Sequence, residues 1–179
     1  MRVTSALREE DRRMARRAIV WGPPWLRRVG PVLDEAAEHT KLWWAAAGTM
    51  AAVGNRRGRS AAAAGVAAMT VAELLSNRVA KQLYERRRPP REWVPQEELR
   101  DCPDSSSFPS GHTAAAVAFS GAVAPAWPAA GAACGTAAML VAAQRLHSGA
   151  HYPSDVAAGG AIGLAGAGLV RAGWSRWGA

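Results

Sequence analysis

The chain is short of lysine, cysteine and any strand-forming pattern. Its only lysines are Lys41 and Lys81, so the other basic residues, 20 of 22, are arginine. Two cysteines, Cys102 in a polar loop and Cys134 in an apolar run, are too few for a disulfide framework. Period-two alternation is missing, so no sheet is expected. Zinc-finger spacing and aromatic RNA-binding motifs are also missing, which excludes nucleic acid as an expected partner. There is no HExxH or paired-carboxylate motif, so no metal and no cofactor are expected. A signal peptide is not expected either, because the chain starts with an acidic and arginine-rich stretch.

What is present is basic and apolar at once. Net charge is +8 over 179 residues, which calls for an anionic partner such as a phosphorylated substrate or an anionic bilayer surface. Eight of the 12 aromatics are tryptophan, and several stand near the ends of apolar runs, as at a membrane interface. Residues 1–40 form one segment, Arg-rich and amphipathic, in which Pro23-Pro24 forbids a single helix. Residues 41–179 form the main domain, with apolar runs at roughly 41–54, 60–83, 112–125, 126–146 and 154–172. The runs are built from Ala and Gly, and Gly159 with Gly163 makes a GxxxG step for close helix packing. The expected fold is all-α, a polytopic membrane helical bundle of five to six helices with its site at one membrane face. Against this stand the shortness of some runs and a mean hydropathy of −0.10. Glu73, mid-run, is expected to pair with Arg78 or a neighbouring helix.

Three polar clusters sit at run ends. They are KQLYERRRPP with Lys81 and Arg88, PSGH with Ser110, Gly111 and His112, and QRLHSGAHYPSD with Arg145, His151 and Asp155. Helices that alternate up and down bring all three to one face. Lys81, Arg88 and Arg145 together suit a phosphate dianion. Ser110 is a good N-cap, and a helix start is an anion site that Gly111 lets a ligand approach closely. Asp155 lies four residues after His151 and can hold one imidazole nitrogen, leaving the other as nucleophile. His112 is then available as a general acid. His39 and His147 read as structural or surface residues.

The order and spacing of these clusters resemble the type 2 phosphatidic acid phosphatase family, also called the lipid phosphate phosphatase and haloperoxidase superfamily. Its pattern is KxxxxxxRP, PSGH and SRxxxxxHxxxD. The chain departs from it at one position, where Gln144 stands in place of the usual Ser and puts one phosphate-site hydrogen bond in doubt. The resemblance covers residues 60–172 and implies roles. His151 would form a phosphohistidine, Asp155 would orient it, and His112 would protonate the leaving group. Lys81, Arg88, Ser110, Gly111 and Arg145 would bind phosphoryl oxygens. The implied substrate is a membrane lipid phosphate, with decaprenylphosphoryl-5-phosphoribose phosphate, polyprenyl diphosphates and glycerophospholipid phosphates as the classes considered. Only Arg56, Arg57, Arg59, Arg171 and Arg176 fall on the side opposite the site, so the positive-inside rule places the catalytic face in the cytoplasm of a multi-pass inner-membrane protein.

Overall fold

The structure is a computed structural model that describes residues 2–20, 22–96 and 105–177. Cys102 lies outside the described residues. The elements run α1 (Arg2–Val20), α2 (Pro24–Ala37), a 3-10 turn (Glu38–Thr40), α3 (Lys41–Val53) and α4 (Arg56–Glu73). A π-helical stretch (Leu74–Ala80) and a last turn, α5 (Lys81–Leu83), extend α4. A 3-10 turn (Arg91–Trp93) precedes α6 (Gly111–Val123), α7 (Pro128–His147) and α8 (Pro153–Trp177). The described residues contain no strand.

Local chemistry explains the breaks. Pro24 opens α2 at a position where its missing N–H costs nothing and its ring angle already suits a helix. His39 and Thr40 adopt left-handed backbone angles, φ 49° and 58°, and turn the chain sharply from α2 into α3. Asn55 caps α4 by accepting from the Arg57 and Gly58 amides at 2.9 and 3.4 Å. Pro128 opens α7 as Pro24 opens α2.

The bundle is built around α6, a helix with buried residues on every side, which packs against α4, α7 and α8. Close approach is possible because the facing residues are small. A Cβ on Gly163 would lie 2.6 Å from the Ala114 carbonyl, and one on Gly159 would strike the Ser110 carbonyl. The GxxxG step is therefore the α6–α8 contact. Gly65 of α4 leaves room for the Phe119 ring, which also meets Trp43 of α3 at a centroid distance of 5.5 Å.

By length and composition, Pro153–Gly173 of α8 is the one candidate membrane span among the described residues. Only 22% of that stretch is buried against the protein, whereas the core helix of a soluble bundle would be mostly covered. Leu164 and Leu169 point outward from it. Helices α3 and α6, with 13 residues each, rise only ~20 Å. Helix α1 packs on α7 and α8, and α2 packs on α7 and α3.

Gly163→Val should force α6 and α8 apart, because the new side chain meets backbone rather than a movable side chain. The expected loss is at the upper end of the ~1–3 kcal/mol range for overpacking, read as a lower unfolding temperature in detergent. Gly168→Val, facing open space, should leave that temperature unchanged.

Candidate active site

The ends of α4/α5, α6 and α7 meet at one cavity of about 420 Å³. Lys81, Arg88, Gly111, His112, Arg145 and His151 line it, so six of the eight residues singled out by spacing converge. Ser110 and Asp155 are fully buried behind that wall, where the Ser110 N–H donates to the Asp155 backbone carbonyl at 3.0 Å. The opposite wall comes from the N-terminal segment, through Asp34, Glu35, Glu38 and His39. Glu73 and Asn77 also line the cavity, so Glu73 faces this space, and no ion pair to Arg78 is seen.

The start of α6 is held in place from within. Ser110 Oγ accepts from the Thr113 amide at 3.4 Å and lies 3.0 Å from the Thr113 hydroxyl. A Cβ on Gly111 would lie 3.2 Å from Asn77 Oδ1, so the glycine permits the close approach of α6 to the π-helical stretch. Wide π turns of this kind recur at functional sites.

His151 arrives through a turn that needs glycine. Gly149 has φ +67°, which reverses the chain after α7 and lets the His151 N–H reach back to the Arg145 carbonyl at 3.2 Å. The His151 ring is 3% exposed, and its Nδ1 lies 2.7 Å from the Ser107 carbonyl. A carbonyl oxygen can only accept, so Nδ1 carries the proton and Nε2 keeps its lone pair. Burial, reinforced by the Arg88 charge, holds this imidazole well below its ordinary value despite the Ser107 bond, so the ring is neutral at pH 7. Arg88 is fixed beside it by donating to the Ala150 carbonyl at 2.8 Å.

Asp155 does not make the contact that spacing suggests. Its Oδ2 is 3.9 Å from His151 Nδ1, beyond hydrogen-bond length, and accepts instead from the Tyr152 amide at 2.9 Å. Its Oδ1 receives Arg86 at 2.8 Å. The tautomer-setting partner is thus a backbone carbonyl brought 44 residues along the chain, which no side-chain motif could have announced.

Arg86 is the residue the sequence concealed. Within the run of three arginines before Pro89 it looks like a solvated charge. In the fold its guanidinium joins Asp155 to Asp11 of α1 at 2.6 Å, bonds Ser154 Oγ at 2.7 Å and stacks 3.9 Å over the Tyr152 ring. Asp11 also accepts from the Ser154 amide and hydroxyl, at 3.0 and 2.6 Å, so α1 caps the start of α8. Burial alone would raise the Asp11 carboxyl, but the Ser154 and Arg86 bonds outweigh it and hold the group below its ordinary value.

Arg145 forms a second buried pair, with Asp34 of α2, and Gln144 Nε2 donates to the same carboxylate at 3.1 Å. His147 turns away toward the Ala18 carbonyl of α1 at 3.1 Å and is a structural residue. His39 is an exposed residue at the cavity rim. Chemically, the cavity offers three cations, a helix start and a neutral imidazole with a free lone pair, which suits transfer of a phosphoryl group.

The family model described as the PAP2 superfamily matches residues 61–178. The chain belongs to the PAP2 superfamily. This PAP2 protein is a hydrolase of phosphate esters. Its fold is similar to the crystal structure of the first transmembrane PAP2 type phosphatidylglycerolphosphate phosphatase from Bacillus subtilis. The TM-score is 0.72 at 22% identity, over 96% of this chain and 87% of that one. A comparison with curated proteins finds no match. The PAP2 match begins after α1 and α2, so Asp11 and Asp34 lie outside it.

Arg86→Ala would leave Asp11 and Asp155 buried without their cation. It should cost about 3 kcal/mol or more of stability, measured by thermal unfolding. Asp155→Asn leaves Nδ1 on the Ser107 carbonyl and should lower kcat by no more than roughly 100-fold. A loss as large as that of His151→Ala would show that Asp155, and not Ser107, sets the tautomer.

Proposed function

We propose that this chain is an integral-membrane, multi-pass lipid phosphatase that removes phosphate from a prenyl-linked lipid through a phosphohistidine on His151, without a metal cofactor. The observation that carries the reading is the cavity itself, where His151, its Nδ1 engaged by the Ser107 carbonyl, shares one space with Lys81, Arg88, Arg145 and His112.

In the first step Nε2 attacks phosphorus, and the bond from phosphorus to the leaving oxygen breaks. His112, as the imidazolium, gives its proton to that oxygen and is left neutral, so the lipid product leaves as an alcohol, or as a phosphate from a diphosphate. In the second step His112 takes a proton from water, the water oxygen bonds to phosphorus and the P–N bond breaks. Inorganic phosphate leaves with His151 neutral again. Lys81, Arg88, Arg145 and the amides at Gly111 and His112 neutralise the charge on the phosphoryl oxygens throughout. Ser110 holds the α6 start, and Asp155 anchors the loop that carries His151.

Residues 1–40 are proposed as a segment distinct from the catalytic domain of residues 41–179. Their arginines would rest on the anionic bilayer surface beside the cavity. That placement favours a cytoplasmic face of the plasma membrane and, with it, a phosphomonoester of the decaprenylphosphoryl-5-phosphoribose type, a precursor for the cell envelope. A second reading, phosphatidylglycerol phosphate, is supported by the likeness to the Bacillus subtilis fold.

The test is phosphate release by detergent-purified protein, with chelator present, from these two lipids, undecaprenyl diphosphate and phosphatidic acid. Release from a prenyl-linked phosphomonoester that falls to background in His151→Ala is the expected result. Near-normal release by His151→Ala would overturn the mechanism, and a clear preference for phosphatidylglycerol phosphate would replace the proposed substrate with the second reading.

A further inference from the structure

The cavity contains a carboxylate that the match to residues 61–178 does not reach. Asp34, on α2, pairs with Arg145 Nη2 while its other oxygen receives Gln144 Nε2 at 3.1 Å. The Arg145 and Asp34 side chains are 14% and 13% exposed, and Gln144 is buried. Arg145 Nε is buried too and has no hydrogen-bond partner among the described residues. A guanidinium is a rigid planar fork, so fixing one arm on a carboxylate fixes where the remaining N–H groups point. Arg145 lines the same cavity as His151. The carboxylate thus holds the Arg145 guanidinium in one orientation at the cavity wall.

Gln144 has a part in this arrangement that a serine could not play. Helix α2 sits directly on its amide, since a Cβ on Gly30 would lie 2.6 Å from Gln144 Oε1. The long side chain spans the gap from α7 to Asp34, and the hydroxyl of a serine, two atoms shorter, would not reach. The departure from the PAP2 pattern and the N-terminal helix therefore belong together.

We infer that Asp34 is a positioning residue of the phosphate site. It orients Arg145 toward the phosphoryl group, and Gln144 holds Asp34 in place. This rests on the phosphate-binding reading of the cavity but on neither the lipid nor the phosphohistidine. The opposite role, a carboxylate competing with phosphate for Arg145, makes the opposite prediction.

The experiment measures orthovanadate, a phosphate mimic, through the rise in unfolding temperature it causes in the full-length protein in detergent. Wild type, Asp34→Asn, Gln144→Ser, Arg145→Lys and the Asp34→Asn/Arg145→Lys double variant are compared. Asp34→Asn should weaken vanadate binding about tenfold, which is ~1.4 kcal/mol. Gln144→Ser should weaken it severalfold in the same direction. In the Arg145→Lys background, Asp34→Asn should add less than about twofold, because the residue it positions is gone. A merely structural role for Asp34 would carry the full effect into that background and overturn the inference. Unchanged or tighter binding in Asp34→Asn with Gln144→Ser also unchanged would overturn it as well. Wild-type protein that binds no vanadate would overturn the phosphate site and this inference together. Vanadate binding with the expected coupling, beside full turnover in His151→Ala, would remove only the phosphohistidine.

Discussion

A guanidinium buried between two carboxylates organises this molecule. Arg86 lies between Asp155, which is fully buried, and Asp11, which is nearly so. Removing charge from water is costly, and the cost is offset only when every partner is in place. The three charges belong to the loop after α5, the start of α8 and the N-terminal helix, so none of these pieces can shift alone. Asp155 in turn bonds the Tyr152 amide, next to His151, and its backbone carbonyl receives Ser110. The loop bearing the imidazole and the helix start that faces the same cavity are therefore tied to one buried ion cluster.

The apolar part of the fold follows a different rule. With few large side chains, the bundle gains contact by bringing backbones together. Gly159 and Gly163 put α8 against α6, and Gly65 admits the Phe119 ring beside Trp43. Such packing relies on dispersion and fit, which work as well in lipid as in water. It also brings the run ends close enough for a compact polar cavity to form at one end. The rest of α8, mostly uncovered by protein, has the apolar surface that a bilayer would solvate.

The N-terminal helices link the two parts. Each contributes one aspartate to a buried arginine, Asp11 to Arg86 and Asp34 to Arg145. Both lie outside the PAP2 match, yet both touch charges within it. An Arg-rich segment that reads as surface dressing thus supplies a wall of the cavity through its few acids rather than its many bases.

The helical segments, their polar ends and the PAP2 class were legible because they depend on local rules. Apolar runs of Ala and Gly report helices, Pro-Pro reports a break, and Ser110 before Gly111 reports a capped helix start. The spacing from Arg145 to His151 and Asp155 implies a turn, which Gly149 makes. Tertiary structure alone decided which individual groups bond where those clusters meet. Arg86 and Arg88 differ by two positions in one basic run, and only the path of the loop sends the first to Asp155 and the second to Ala150 beside His151. The partner of His151 Nδ1 is a main-chain carbonyl at Ser107, and a carbonyl has no sequence signature because every residue carries one. The link from Gln144 through Asp34 to Arg145 joins residues 110 positions apart, a distance over which only packing can bring a carboxylate to a cation.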